Sequence, residues 1–436
     1  MILLFLSLIN AAPDTLHLSL GQALDMAIKR SPARTEASVS RLTEGVRIGQ
    51  GINGLLPYPS GSLDYGNSTT KSPVYADSSV TTKGWTGTLT VSQVVFDPQV
   101  FAGVATSFIN AGYYGYDAQD KEARLIYDVT AGYLNLLGSS LLRDAASSAL
   151  DRASDNLRLN QEKFRLGAAA QIDVMRSQVA QSQAKINLLS ASNALGTANA
   201  SFLATAGISE NVTVKPTESL AAPATLVVDD PDKLLTQIEK QNPSVKQARS
   251  TSTAATINAI GTVGEILPSV SVFWRSQYGT PYGTSVMPNP SMPKSIKDWD
   301  NNDVVTTGIG LNFPLLDPKT YALNITSAIA GSRQARAAAL SARYQLRASA
   351  TTAILGYQEA QQAYEYAKAN LDLNQELYRL ATEQQRLGAI SLIDFFSVET
   401  ALEQANATYI TALTDTYVQA AQISYLLGRT RSDAKK

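Results

Sequence analysis

Cysteine is absent from the 436 residues, and histidine occurs once, as His17. The first absence removes disulfides, thiolate nucleophiles, Cys-ligated metals and a lipid-anchoring cysteine. The second leaves no multi-histidine metal site and little room for imidazole catalysis. Charge is scarce too: Asp, Glu, Lys and Arg make up 17% of the chain, below the roughly 25% of ordinary globular proteins. With 36 basic against 37 acidic side chains the formal net charge is -1, so there is no basic surplus to neutralise nucleic-acid phosphates. No apolar run reaches the roughly 18 residues that a transmembrane α-helix needs. The G-x-S-x-G, H-E-x-x-H and P-loop motifs are missing, so nothing points to an enzyme, and neither cofactor nor metal is expected. The acidic cluster Asp298, Asp300, Asp303 lacks the spacing and terminal Glu of an EF-hand and reads as a solvated loop.

What is present is organised. Residues 2–9, ILLFLSLI, followed by small residues up to Ala12, read as a secretory signal covering residues 1–12. Length alone suggests two or three domains, but the remainder is one unit used twice. Ser31-Pro32 recurs as Asn242-Pro243 and Leu56-Pro57 as Leu267-Pro268, at one common offset. Phe96-Asp97-Pro98 returns as Leu316-Asp317-Pro318, after a longer segment in the second half. RLGAAAQID at 165–173 returns as RLGAISLID at 386–394, and Gly207 as Gly428 at the same offset. NLRLNQEKFRL (156–166) resembles NLDLNQELYRL (370–380) one heptad out of step, which predicts that the second long helix gained two turns. The repeats are set at 13–207 and 230–428, with a linker or equatorial segment at 208–229 and a tail at 429–436.

Each repeat opens on one expected helix, 18–53 and 230–265. Two strands follow, at 62–69 and 85–95 in the first repeat and at 270–278 and 304–313 in the second. In 85–95, Trp85, Gly87, Leu89, Val91 and Val95 alternate with Thr86, Thr88, Thr90 and Ser92, a period of two. Such segments, apolar on one face and polar on the other, suit transmembrane β-strands and equally a soluble sandwich. Trp85, Trp274 and Tyr278 fit an aromatic girdle at a membrane interface.

Asp97 and Asp317 are expected helix N-caps, and Pro98 and Pro318 suit the first turn. From there a helical pattern runs unbroken to the RLG segments, over about 68 residues or ~100 Å at 1.5 Å per residue. After the first RLG turn a heptad seam runs through Ile172, Met175, Val179, Ser182, Ile186 and Leu189. The later helix carries Phe395, Val398, Leu402, Ala405, Tyr409 and Ala412 at the same spacing, so both predict coiled-coil contacts. The opening helix and the returning helix together match the long helix in length, so the two short ones are expected to stack end to end along it. Four strands cannot close a barrel, whose smallest membrane form has about eight. Two copies would supply eight strands and three would supply twelve.

LSLGQALDMAIKRSP (18–32), SQVVFDP (92–98), NFPLLDP (312–318) and the two RLG…ID turns resemble the TolC-type outer-membrane efflux and secretion channels. The resemblance spans residues 18–428 and implies a mixed α and β membrane protein: a trimeric twelve-stranded β-barrel in the outer membrane, continuous with a twelve-helix periplasmic α-barrel. It implies a passive exit channel of a tripartite efflux pump or type I secretion system. The partners it implies are a homotrimer, a periplasmic adaptor and an inner-membrane RND, ABC or MFS transporter. In the family the second helical tip carries two aspartates at the periplasmic entrance; Asp394 matches the first, and Ser397 stands at the second. The first tip offers Asp173, with Arg176 three residues on. Arg165, Leu166, Gly167, Arg386, Leu387 and Gly388 match the turns onto which family adaptors dock. The alternative from the residues alone is a periplasmic coiled-coil scaffold with a soluble sandwich and no pore.

Overall fold

A computed structural model describes residues 15–71, 79–209, 212–218, 230–283, 303–313 and 318–429. The expected signal at 1–12, the Asp317 cap, and Asp298 and Asp300 lie outside them. The first repeat comprises β1 (Thr15–Leu18), α1 (Leu20–Arg30), α2 (Pro32–Asn53), β2 (Tyr58–Lys71), β3 (Ser79–Phe96), α3 (Pro98–Arg165) and α4 (Gln171–Ala206). After β4 (Thr213–Pro216) come α5 (Pro231–Gln241), α6 (Pro243–Gly264), β5 (Ser269–Gly283), β6 (Asp303–Asn312), α7 (Pro318–Arg386) and α8 (Leu392–Leu426).

Each opening helix is therefore two helices, where one was expected. The break falls on the repeated X-Pro dipeptides, at Ser31 (ψ 136°) and Asn242 (ψ 125°). A residue before proline is pushed out of the α region by the ring's Cδ, and proline then supplies no amide for the preceding turn. The expected end-to-end stacking changes accordingly: Ala23 and Ala27 of α1 share a core with Phe202 and Ala206 at the end of α4, so α1 lies beside that helix. The predicted two-turn gain is also absent. α3 has 68 residues and α7 has 69, so the out-of-step match is a heptad slip between similar helix surfaces.

The chain forms two compact units that cut across the repeats. One takes residues 1–41, 115–246 and 341–436; the other takes 42–114 and 247–340. In the first unit, Tyr133 and Phe202 pack edge to face at 6.1 Å, and the Tyr133 hydroxyl donates to the Leu18 carbonyl at 3.0 Å. That bond ties α3 to β1, which pairs in parallel with β4 inside the segment expected to be a linker. A second core joins Ile238 and Val245 to Ala353, Tyr357 and Ile423, the same arrangement built from the second repeat.

The second unit holds an antiparallel sheet ordered β2-β3-β5-β6. Its strands extend past the expected ranges at nearly every end. The register aligns Pro59–Val91–Trp274–Thr307 and Gly61–Leu89–Ser276–Val305, so the alternating apolar positions of four separate strands merge into one face. Leu63, Tyr65, Trp85, Leu89, Val272, Trp274, Val305, Ile309 and Leu311 are exposed on it. Ser60, Ser62, Asp64, Thr86, Thr88, Thr90, Arg275, Gln277 and Thr306 share the opposite face, with Val94, Phe273 and Val304 as exceptions. Phe273 is seated by two glycines: a Cβ at Gly308 would stand 3.1 Å from its ring, and Gly310 is adjacent. No described helix is long and apolar enough to cross a membrane.

Candidate functional site: the helical tips and the open sheet

The two tips are built alike. α3 ends where Gly167 turns to φ 75°, letting its N–H reach Phe164 O (2.9 Å) and the Ala168 N–H reach Lys163 O (2.7 Å). α7 ends at Gly388 (φ 71°), with Gly388 N–H to Gln385 O (3.2 Å) and Ala389 N–H to Gln384 O (2.8 Å). Both closures satisfy helix-end carbonyls through a left-handed residue, which glycine adopts without Cβ strain. Leu166 and Leu387 project from these turns, 71% and 72% exposed. Arg165 pairs with Glu162 at 2.8 Å and Arg386 with Glu383 at 3.2 Å, each one turn back along its own helix.

The returning helices start on caps that use the expected acidic residues. The Asp394 N–H donates to Ser391 Oγ (3.1 Å), and that hydroxyl donates to Asp394 Oδ2 (2.6 Å). In the first tip, Asp173 Oδ2 accepts from the Ala170 N–H (3.3 Å), and its other oxygen lies 3.9 Å from Arg176. Both carboxylates thus offset the amide-rich end of a helix. Ser397 is exposed and Asp394 is exposed beside it.

A feature the heptad arithmetic missed joins the tips. Phe396 of α8 reaches the α4 face and lines with Ile172, Met175, Arg176, Val179 and Ala180 an open cavity of about 630 Å³. The α4 seam lies in this region. Among the described residues it is largely uncovered: Ile172, Met175, Val179, Ile186 and Leu189 are all exposed, Val179 to 70%. α8 differs, for Phe395, Ala405, Ile410, Ala412 and Leu413 are buried. A second bare stripe runs up α7 through Tyr366, Leu373, Leu377, Leu380 and the tip residue Leu387, again spaced in threes, fours and sevens.

At the sheet, Trp85 packs on Tyr65 with centroids 4.9 Å apart and rings tilted by 48°, and Tyr278 lies across from Gly87. Trp274 stands four residues before Tyr278 in β5, opposite Val91 and on the same face. Phe96, paired with Val270 past a bulge, packs on Phe101 at 6.3 Å at the strand-to-helix junction. Its signal was the SQVVFDP segment, where Asp97 Oδ1 accepts from Gln99 N–H (2.9 Å) and Val100 N–H (3.2 Å) as the expected cap. Among the described residues no cluster of His, Cys, Asp and Glu is arranged to hold a metal.

Residues 234–429 match the family model described as outer membrane efflux protein. The matched stretch falls almost wholly within the second repeat and ends one residue past the left-handed Gly428 that follows α8. No curated protein matches in sequence. Solved structures match over nearly the whole chain. The Campylobacter jejuni CmeC outer membrane channel has a TM-score of 0.75 at 14% identity, over 94% of this chain and 85% of that one. The Vibrio cholerae outer membrane protein VceC gives 0.76 at 14%, over 94% and 96%. The open state of the Neisseria gonorrhoeae MtrE outer membrane channel gives 0.71 at 16%, over 94% and 88%. At these identities the likeness is one of fold. The resemblance read from the sequence stands, and the efflux-protein family and its structural neighbours are channels rather than enzymes.

Proposed function

We propose that this chain is the protomer of a passive outer-membrane exit channel. Three copies join β6 of one sheet to β2 of the next and close a twelve-stranded barrel, apolar face to lipid and polar face to water. The observation that carries the reading is the sheet itself: four registered strands with one apolar face, open at both edges β2 and β6. An exposed edge and an exposed apolar face are both costly in water, and barrel closure in a membrane removes both. The bare stripes of α4 and α7 support the same assembly. Both begin at a tip and run back along antiparallel helices, so α4 of one copy can lie against α7 of the next around a ring.

The tips then form the periplasmic entrance, with Asp394, Ser397, Asp173 and Arg176 around it. The Leu166-Gly167 and Leu387-Gly388 turns, with Arg165 and Arg386, are the surface offered to a periplasmic adaptor that couples the channel to an inner-membrane transporter. Trp85 and Tyr278 meet the headgroup region. Purified full-length protein is expected to form an oligomer that resists SDS at room temperature and to conduct ions in planar bilayers. A soluble, non-conducting protein would instead identify a periplasmic scaffold. Asp394→Ala is expected to weaken block by divalent cations while costing under about 1 kcal/mol of stability, because Ser391 still caps the helix. Unchanged block would remove Asp394 from the entrance.

A further inference from the structure

Behind the second tip, three helices meet at a charge cluster that the channel reading does not use. Glu399 of α8 is 5% exposed. Its Oε2 accepts from Asn156 Nδ2 of α3 at 3.3 Å, and its Oε1 lies 3.6 Å from Arg152 Nε. That separation is an ion pair too long for a hydrogen bond, and both atoms are buried without a hydrogen-bond partner. The Arg152 guanidinium also lies over the Tyr378 ring of α7, 5.8 Å from its centroid. Tyr378 packs on Phe395 at 5.9 Å, and Phe395 on Phe396 at 6.2 Å, so the cluster abuts the first turns of α8. One turn along α8, Glu403 lines with Arg152 a cavity of about 470 Å³.

Two carboxylates therefore share one guanidinium in a half-buried place. With both ionised the cluster holds a net negative charge away from water, and like charges four residues apart on a helix repel. With one proton added, the cluster becomes a neutral ion pair plus a carboxylic acid, whose hydroxyl is a new donor among atoms that lack partners.

We infer that this cluster is a proton-operated fastening: taking up a proton ties α8 to α3 and α7 behind the tip, and releasing it loosens them. The groups acting on Glu399 are Arg152 from α3, Tyr378 from α7 and Glu403 from α8 itself. Burial, the largest influence, pushes both Glu399 and Glu403 above the ordinary carboxylate range, and Arg152 opposes it in each case. The sign follows. An acid whose folded pKa is raised holds its proton longer folded than unfolded, so its stabilising share is complete below the ordinary carboxylate pKa and is lost as pH rises through the raised value.

The test is the thermal midpoint of the full-length protein in detergent from about pH 3.5 to about pH 8. Glu403→Gln, an isosteric change at a half-buried site, imitates the protonated state. It is expected to melt with the unaltered protein at the acid end and to exceed it by on the order of 2 °C at the alkaline end. Arg152→Gln is expected to fall increasingly below both as pH rises, and Glu399→Gln to flatten the pH dependence as Glu403→Gln does. Parallel curves for Glu403→Gln and the unaltered protein at every pH would overturn the inference. Only its consequence, a conductance that changes with pH, rests on the channel reading, so loss of conductance with the melting pattern intact would reject that reading and leave the fastening standing.

Discussion

Gly207→Ala is expected to destabilise the protein by about 3 kcal/mol, and Gly428→Ala by a similar amount. Gly207 closes α4 at φ 70°, and a Cβ built there stands 2.8 Å from the backbone of Arg30 and Ser31. These are the residues at the break between α1 and α2, and backbone cannot swing aside as a side chain would. Gly428 (φ 65°) does the same for the second repeat, where a Cβ meets the Pro243 ring at 2.7 Å. The tip glycines are the internal control. Gly167 and Gly388 have the same left-handed backbone, but nothing lies within 4 Å of a Cβ at either one. Alanine there carries only the left-handed strain, roughly 1–2 kcal/mol. Denaturant or thermal unfolding of the four single variants separates strain from collision. Equal losses at all four positions would mean that the return helices do not dock on the X-Pro breaks.

Val179→Glu combined with Leu373→Glu is expected to abolish the oligomer while leaving the helices intact. Val179 is 70% exposed and Leu373 is 67% exposed in the single chain, so neither substitution disturbs its own core. In the assembly each would place an unpaired carboxylate in an apolar seam, at a cost of several kcal/mol per site, on the order of 3, repeated in every copy. Light scattering after size exclusion reads the oligomer, circular dichroism reads the helices, and planar bilayers read the conductance. Persistence of the oligomer and the pore would show that these stripes face something other than a neighbouring copy. The contrast with the α8 seam makes the test specific, because Phe395 and Ala405 there are already buried and their replacement would damage the protomer itself.

Much of this was legible in the sequence because local rules govern it. The alternation in 85–95 survived as one face of β3, since a pleated strand has no other way to arrange its side chains. The RLG turns became left-handed glycine closures with aspartate behind the next helix start, as the residue types require. Local rules also explain one misreading. Ser31-Pro32 and Asn242-Pro243 were visible as a repeat and carried the stereochemistry of a helix break, yet the heptad-like pattern on either side suggested one continuous helix.

The sequence by itself determined the duplication, the element types, the positions of the tips and the chemistry that cannot occur here, because periodicity, turn residues and composition act over a few residues. Only the tertiary structure decided which apolar seam the chain covers itself and which it leaves bare. α4 and α8 carry the same spacing, and spacing reports that a face is apolar without saying what lies on it. The pairing of β1 with β4 and the meeting of Arg152 with Glu399 belong to the same class. Each joins residues about two hundred positions apart or more, a distance over which no local pattern extends.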